Sequence, residues 1–253
     1  MWMPSNPEIS LRMETGRPKH KGDGHRKRLR ERFISAGISG FQDYEVLELL
    51  LSLNTPRRDT KQAAKDLMAE FKTLPRVLEA SAEALCRIRG VGPANSFGIH
   101  LIKAVADRYL ETRLQNRDVV TDPDSLMTFL NQAIGYKVRE HFMGIYLDAK
   151  NRVIGSEILF TGTLTASAVY PREVITRALD RNAAAVIFAH NHPSGDIQPS
   201  AQDIRITRTL TLALKFAGIN VHDHIITGSE GYYSFAAQGQ MNRFNREFER
   251  INE

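Results

Sequence analysis

The residues best suited to chemistry lie in one short stretch of the second half of the chain. His190 and His192 stand two positions apart after an apolar run, and Asp203 follows one turn into a predicted helix. Side chains two apart at a strand end project to the same side, and the loop can bring the carboxylate back towards them. Two imidazoles and one carboxylate are the ligands of a catalytic zinc site that keeps its fourth position for water. We predict one Zn²⁺ per chain here, with a metal-activated water as the nucleophile.

A structural interpretation of the same residues exists. Ser200-x-x-Asp203 resembles a helix capping box with Asp in place of the usual Glu, and an isolated His-x-His is often only structural. The full pattern is longer: His190-Asn-His192-Pro193, six further residues, then Ser200-x-x-Asp203. This combination favours the metal interpretation.

The pattern is similar at every required position to the JAMM (MPN+) metalloprotease signature. The segment His-Asn-His-Pro-Ser-Gly-Asp at 190–196, preceded by Pro-Arg-Glu at 171–173 and followed by Asp223-His224, resembles the RadC-like (UPF0758) branch of that superfamily. The first half also resembles the usual N-terminal domain of RadC-like proteins. The resemblance covers roughly residues 18–240.

This resemblance implies a C-terminal JAB/MPN domain of α/β class with zinc on the two histidines and the aspartate. It also implies a metallopeptidase or isopeptidase acting on a peptide or protein substrate. Ser200 matches the family serine that steadies the tetrahedral intermediate, which a hydroxyl donor can do. The family places a general-base Glu on a strand before the motif. Glu140 is our candidate because it opens the first predicted strand, with Glu157 and Glu173 as alternatives.

Hydrophobic patterning predicts the elements that must position these residues. We predict strands over 140–148, 152–160, 183–189, 220–227 and 231–235, and helices over 171–182 and 200–218. A mixed sheet flanked by helices follows. His222-Asp223-His224 lies on one of these strands, either as two ordinary strand histidines or with His224 or Asp223 orienting a metal ligand.

The first half of the chain is basic and predicted to be helical. Residues 1–117 hold 21 Lys and Arg against 14 Asp and Glu, whereas residues 118–253 hold 13 against 15. Eight of the cations lie between Arg17 and Arg32. This segment is either a solvated arm or a contact for the phosphates of a nucleic acid.

Residues 85–103 resemble a helix-hairpin-helix motif, with Ile88, Gly90, Val91, Gly92 and Ala94 in the family order. Glycines allow a tight turn with positive φ, and the start of the second helix offers free N–H groups to a phosphate. Arg89 and Lys103 are candidates to add charge to a nucleic-acid contact made by Gly90 and Gly92. The alternative is a hairpin that only packs or binds a protein.

We therefore predict three segments: a basic arm over 1–32, an all-α domain with the hairpin motif over 33–117, and the metallohydrolase domain over 122–253. The single cysteine excludes an internal disulfide and a multi-cysteine zinc site, which disfavours a deaminase. No signal peptide or membrane span is visible, so we expect a cytoplasmic protein with no membrane partner. The alternative function is a DNA-associated accessory protein of repair or recombination, a role historically attached to RadC-like proteins.

Overall fold

The computed structural model describes residues 23–56, 58–115, 123–162 and 169–253. The first 22 residues of the predicted arm and the predicted boundary at 117–122 lie outside these ranges. The first half is helical, as predicted. Its helices are α1 (Asp23–Ala36), α2 (Asp43–Asn54), α3 (Lys61–Phe71), α4 (Leu74–Glu79), α5 (Ala82–Cys86) and α6 (Pro93–Leu114).

Helix α1 begins at Asp23, inside the segment predicted as a basic arm over 1–32. Leu29 is buried, and the Arg26 guanidinium donates to the backbone carbonyls of Pro56 and Arg58. His25 lies 3.1 Å from the buried carboxylate of Glu48 on α2. The high density of charged residues led to the prediction of an arm, whereas the buried Leu29 and the contacts of Arg26 and His25 pack α1 against α2 and the segment after it.

The turn between α5 and α6 spans residues 87–92. Gly90 has a φ of +90°, a conformation that favours glycine, whereas Gly92 is extended and immediately precedes α6. The expectation of positive φ therefore holds for Gly90 and is wrong for Gly92. Pro93 opens α6, where its missing N–H costs nothing. An apolar cluster packs these helices together, and its fully buried members include Leu47, Leu67, Leu85 and Ile99.

The second half contains a five-stranded mixed sheet within the described residues. Its elements are α7 (Pro123–Leu130), β1 (His141–Leu147), β2 (Val153–Thr161), α8 (Pro171–Asp180), β3 (Ala185–Asn191), α9 (Ala201–Phe216), β4 (Asn220–Gly228), β5 (Gly231–Ser234) and α10 (Gln240–Asn252). The strand order is β2-β1-β3-β4-β5, and only the β3–β4 pair is parallel.

Alternation along the strands sends apolar side chains to both faces of the sheet. Phe142, Phe188 and Ile226 face a cluster that also includes residues of α8, α9 and α10. The opposite face, which includes Ile145 and Ile187, packs against α7, the π-helical turn Asn131–Gly135 and the end of α6. The sheet is therefore buried between two layers of helices.

The predicted α/β architecture is confirmed, with a mixed sheet flanked by helices and a helical first half. Three elements were not predicted: α7, the π-helical turn and α10. Among the described residues, no helix combines the length and apolarity needed to cross a membrane.

Candidate metal centre

The two histidines and the aspartate come together at the end of β3. His190 is inside the strand and 1% exposed, because β3 runs two residues further than predicted. His192 follows the strand and is half-buried. Asp203 is buried in the first turn of α9, directly beside them. A loop of eight residues, 193–200, separates His192 from α9 and returns the carboxylate to the strand end.

The three side chains are close enough together to share one metal ion. His190 Nε2 is 2.9 Å from His192 Nε2 and 3.4 Å from Asp203 Oδ1. His192 Nε2 is 3.6 Å from Asp203 Oδ2. Ligands about 2.0–2.2 Å from a tetrahedral zinc ion are separated by about 3.3–3.6 Å. The two distances to Asp203 match this range, whereas the two histidine nitrogens lie closer together. The donor set suits Zn²⁺ in its chemistry, since it offers two borderline nitrogens and one oxygen.

The outer nitrogens of both imidazoles have hydrogen-bond partners. His192 Nδ1 lies 2.6 Å from the backbone oxygen of Asp196, and this oxygen can only accept. His192 therefore donates through Nδ1, and in the neutral ring Nε2 keeps its lone pair for a metal. His190 Nδ1 lies 2.8 Å from Nε2 of the fully buried His224. Such outer contacts orient metal-binding histidines in proteins.

Asp203 has a second structural task as the third residue of a capping box. Its Oδ2 accepts hydrogen bonds from the backbone N–H of Ser200 at 2.7 Å and from the Ser200 hydroxyl at 2.6 Å. Ser200 Oγ in turn accepts from the backbone N–H of Asp203 at 3.1 Å. The capping interpretation and the three-residue cluster thus hold together, because the cap fixes the carboxylate where it meets the histidines.

Burial and proximity shift the pKa values of all three side chains. Burial lowers the pKa of His190 to about 4, although the charge of Asp203 opposes this shift. Hydrogen bonding to Asp203 raises the pKa of His192, and the charge of Glu140 adds to the effect. Burial alone would raise the pKa of Asp203, but contacts with His192, His190 and Ser200 hold it well below its usual range. The aspartate is therefore ionised and the buried His190 is neutral near pH 7, as metal binding requires.

Glu140 lies next to this cluster. It directly precedes β1, where Phe142 pairs with His190 in antiparallel register. The charge of Glu140 contributes to the raised pKa of His192, so the two side chains are near one another.

Asn191, between the two histidines, holds the segment around Glu140 in place. Its amide nitrogen donates to the backbone oxygens of Lys137 and Arg139 at 3.0 and 3.1 Å, and its amide oxygen accepts from the backbone N–H of His141 at 2.8 Å. These contacts bracket Glu140 on both sides. This role of Asn191 was not predicted from the sequence, although its position between His190 and His192 marked it as a candidate.

The two alternative general bases are placed differently. Glu157 on β2 accepts a hydrogen bond from the Tyr146 hydroxyl at 2.7 Å and forms ion pairs with Arg177 and Arg181. Both oxygens of this carboxylate are therefore already engaged by other side chains. Glu173 is exposed in the first turn of α8, where a carboxylate favours the helix dipole.

The predicted nucleic-acid contacts separate into two groups. Arg89 and Gly90 are exposed in the turn before α6, and Gly92 is half-buried. Lys103 is 8% exposed, and its ammonium nitrogen lies 2.8 Å from Glu79 Oε1 and 2.6 Å from Asp107 Oδ1. Two carboxylates therefore already surround the charge of Lys103, which disfavours a phosphate contact by this side chain.

Comparison with known proteins agrees with the fold and the cluster. The family model for the RadC-like JAB domain matches residues 120–240, and the model for the UPF0758 N-terminal region matches residues 24–97. A UPF0758 protein of Ruegeria pomeroyi is 41% identical over 217 residues, which cover 86% of this chain and 97% of that protein. The class defined by fold and site is therefore a JAB-domain protein with a His-His-Asp cluster. Within that class, the chain belongs to the RadC-like UPF0758 family.

Proposed function

We propose that this protein is a zinc-dependent hydrolase of the JAMM type that cleaves peptide or isopeptide bonds. The observation that supports it most directly is the convergence of His190, His192 and Asp203, whose ligand atoms all lie within 4.8 Å of one another. Zn²⁺ bound there supplies a Lewis acid that polarises a carbonyl group and makes a water molecule nucleophilic near neutral pH.

The surrounding residues then have separate tasks in amide hydrolysis. Glu140 takes a proton from the attacking water as the new C–O bond forms, and returns a proton to the leaving amine as the C–N bond breaks. The Ser200 hydroxyl supports the oxyanion of the tetrahedral intermediate. To do so it must exchange its present hydrogen bond to Asp203 Oδ2 for one to the substrate. Asn191 keeps the backbone on both sides of Glu140 fixed to β3.

The first test is metal content by elemental analysis of wild-type protein, His192→Ala and His222→Ala. His222 is a matched control, because its ring contacts Asn151 in a turn and is not one of the three clustered residues. We expect about one zinc per chain in wild type and His222→Ala, and none in His192→Ala. A folded, chelator-free wild-type protein without stoichiometric metal would contradict the proposal.

The second step is a screen with peptides and isopeptide-linked conjugates. We expect cleavage by the zinc-loaded wild-type protein and none by His192→Ala. Equal cleavage by both proteins would show that the cluster does not support the reaction.

A second candidate function is nucleic-acid binding by the first half. Exposed cations favour it: Arg89 stands beside Gly90 in the turn, and Lys27, Arg28 and Arg30 lie on the exposed side of α1. The test is DNA binding by the full chain at two salt concentrations, with Arg28→Ala/Arg30→Ala as the variant. Phosphate contacts predict binding that weakens steeply with salt, and a smaller salt slope in the variant. No binding at low salt would exclude this function.

A further inference from the structure

A buried chain of hydrogen bonds connects two of the three candidate ligands behind the metal centre. His190 Nδ1 lies 2.8 Å from His224 Nε2. His224 Nδ1 lies 2.5 Å from the Thr207 hydroxyl, and that hydroxyl lies 2.5 Å from the backbone oxygen of Asp203. These hydrogen bonds connect β3 to β4 and β4 to α9, and they end at Asp203, which also supplies the carboxylate of the cluster.

The donor and acceptor in each of these hydrogen bonds can be assigned by starting from the backbone oxygen of Asp203. The backbone oxygen of Asp203 can only accept, so the single hydroxyl hydrogen of Thr207 points to it. Thr207 Oγ1 must then accept from His224 Nδ1–H. A neutral His224 therefore has a lone pair on Nε2, which accepts from Nδ1–H of His190. A neutral His190 with its hydrogen on Nδ1 has its free lone pair on Nε2, on the side of His192 and Asp203.

The surroundings of His224 keep it neutral. It is 0% exposed, and its ring packs against three phenylalanines, with centroids 4.9 Å from Phe235, 5.4 Å from Phe142 and 6.4 Å from Phe188. An isolated charge in such an apolar setting is costly. A cationic His224 would donate from both nitrogens, which would force the hydrogen of a neutral His190 onto Nε2 and block that atom as a ligand.

We propose that Thr207 and His224 are positioning residues that fix His190 in the tautomer able to bind the metal. This inference rests on the proposed metal site, but it concerns residues that do not themselves touch the ion. His224 orients the ring of His190 and sets its tautomer, and Thr207 sets the tautomer of His224. Because Thr207 also binds the Asp203 backbone, the same hydroxyl ties the first turn of α9 to the histidine ligand.

The first experiment compares zinc affinity in Thr207→Val and Thr211→Val by competition with a chromophoric chelator. Thr211 is the matched control, because it is also 0% exposed and its hydroxyl also donates to the carbonyl four residues earlier. Loss of a contact that orients a ligand typically weakens metal binding about 10–100-fold. We expect such a loss in Thr207→Val, recovery in Thr207→Ser, and wild-type affinity in Thr211→Val.

Thermal unfolding of the metal-free variants separates positioning from general packing. Both Val substitutions should lower Tm to a similar extent, whereas only Thr207→Val should reduce zinc affinity. Equal zinc affinity in Thr207→Val and wild type would overturn the inference, as would equal losses of affinity in both Val variants.

Long-range ¹H–¹⁵N NMR of the histidine rings tests the tautomers without any substitution. We expect a hydrogen on Nδ1 of His224 and on Nδ1 of His190 in the wild-type protein. A hydrogen on Nε2 of His224 would overturn the inference. The measurement on metal-free protein also keeps the two proposals apart. A wild-type protein that binds no zinc contradicts the proposed hydrolase. The tautomers of His190 and His224 in that protein still show whether the hydrogen bonds have the inferred donors and acceptors.

Discussion

At the scale of single residues, the candidate site uses side chains with both a structural and a chemical task. Asp203 is at once the capping carboxylate of α9 and a member of the metal cluster. Ser200 caps the same helix and is the residue proposed to support the oxyanion. The capping box and the His-His-Asp pattern are both visible in the sequence. Only the folded chain shows that the capping box holds the Asp203 carboxylate beside the two histidines.

Ser200→Ala removes the hydroxyl from the cap and from Asp203 Oδ2. We expect a loss of about 1 kcal/mol in the free energy of unfolding, and weaker zinc binding because the carboxylate is less well held. Ser81→Ala is the control, since Ser81 caps α5 in the same way but belongs to the helical half. It should lower stability similarly and leave zinc affinity unchanged. Wild-type zinc affinity in Ser200→Ala would show that the cap does not position the ligand.

Glu140→Gln removes the proposed general base but none of the three ligands. We expect it to retain zinc and to lose about 10²–10⁴-fold in hydrolysis of any substrate found in the peptide screen, measured at saturating zinc. Glu173→Gln, at an exposed position on α8, is the control and should remain active. Full activity in a folded Glu140→Gln protein would reject the assignment.

At the scale of elements, local patterns predicted most of the second half. The run of apolar residues before His190 predicts β3, and Ser200 predicts the start of α9. The contact between His190 and His224 could not be predicted, because it depends on the parallel pairing of β3 with β4 across an intervening helix. Helix α10 was missed although Met241 and Phe244 have helical spacing and are buried.

Helix α1 begins at Asp23, in a basic segment whose charge gave no indication of a helix. Leu29→Ala should destabilise the protein by about 2–3 kcal/mol, because it leaves a cavity where α1 packs. Hydrogen exchange of residues 24–36 should become faster at the same time. Ile34→Ala is the control, since Ile34 is 82% exposed on the same helix. A Leu29→Ala protein with wild-type stability would mean that α1 does not dock.

Asn191 connects β3 to the segment before β1. Asn191→Ala should lower the free energy of unfolding by about 2–3 kcal/mol, since it leaves two backbone oxygens and one N–H without their present partner. We expect zinc to be retained and hydrolysis to fall, because the backbone around Glu140 is released. Thr227→Val is the control: Thr227 pairs with Asn191 in the sheet, and its buried hydroxyl has no partner among the described residues. Unchanged hydrolysis in Asn191→Ala would contradict the role.

At the scale of the whole molecule, the two halves share one long helix. The first part of α6 packs in the helical half through Ile99, and its end packs against the sheet through Leu110 and Leu114. The difference in net charge between the two halves of the sequence suggested two separate parts. Net charge does not show which apolar side chains of one half pack against the other. The candidate metal centre therefore lies on a sheet whose second face is partly covered by the first half of the chain.

A buried ionic cluster also joins the halves. Glu79 at the end of α4 pairs with Lys103 on α6 at 2.8 Å and with Lys137, just before β1, at 2.5 Å. Burial opposes ionisation of Glu79, but the two ammonium groups outweigh it and lower the pKa of this carboxyl. A depressed folded-state pKa stabilises the protein above the ordinary glutamate pKa of about 4.3, and this contribution is lost as pH falls through the folded-state value.

Glu79→Gln should therefore destabilise the protein most at neutral pH. We expect a loss of about 3 kcal/mol there, because the buried Lys103 and the half-buried Lys137 lose their shared carboxylate. The difference from wild type should stay constant near neutral pH and shrink as the pH falls below the ordinary glutamate pKa of about 4.3 towards the lower folded-state value. Urea unfolding at several pH values measures this, with Glu83→Gln on the exposed side of α5 as the control. A difference that stays constant with pH would mean that the charge of Glu79 does not hold the halves together.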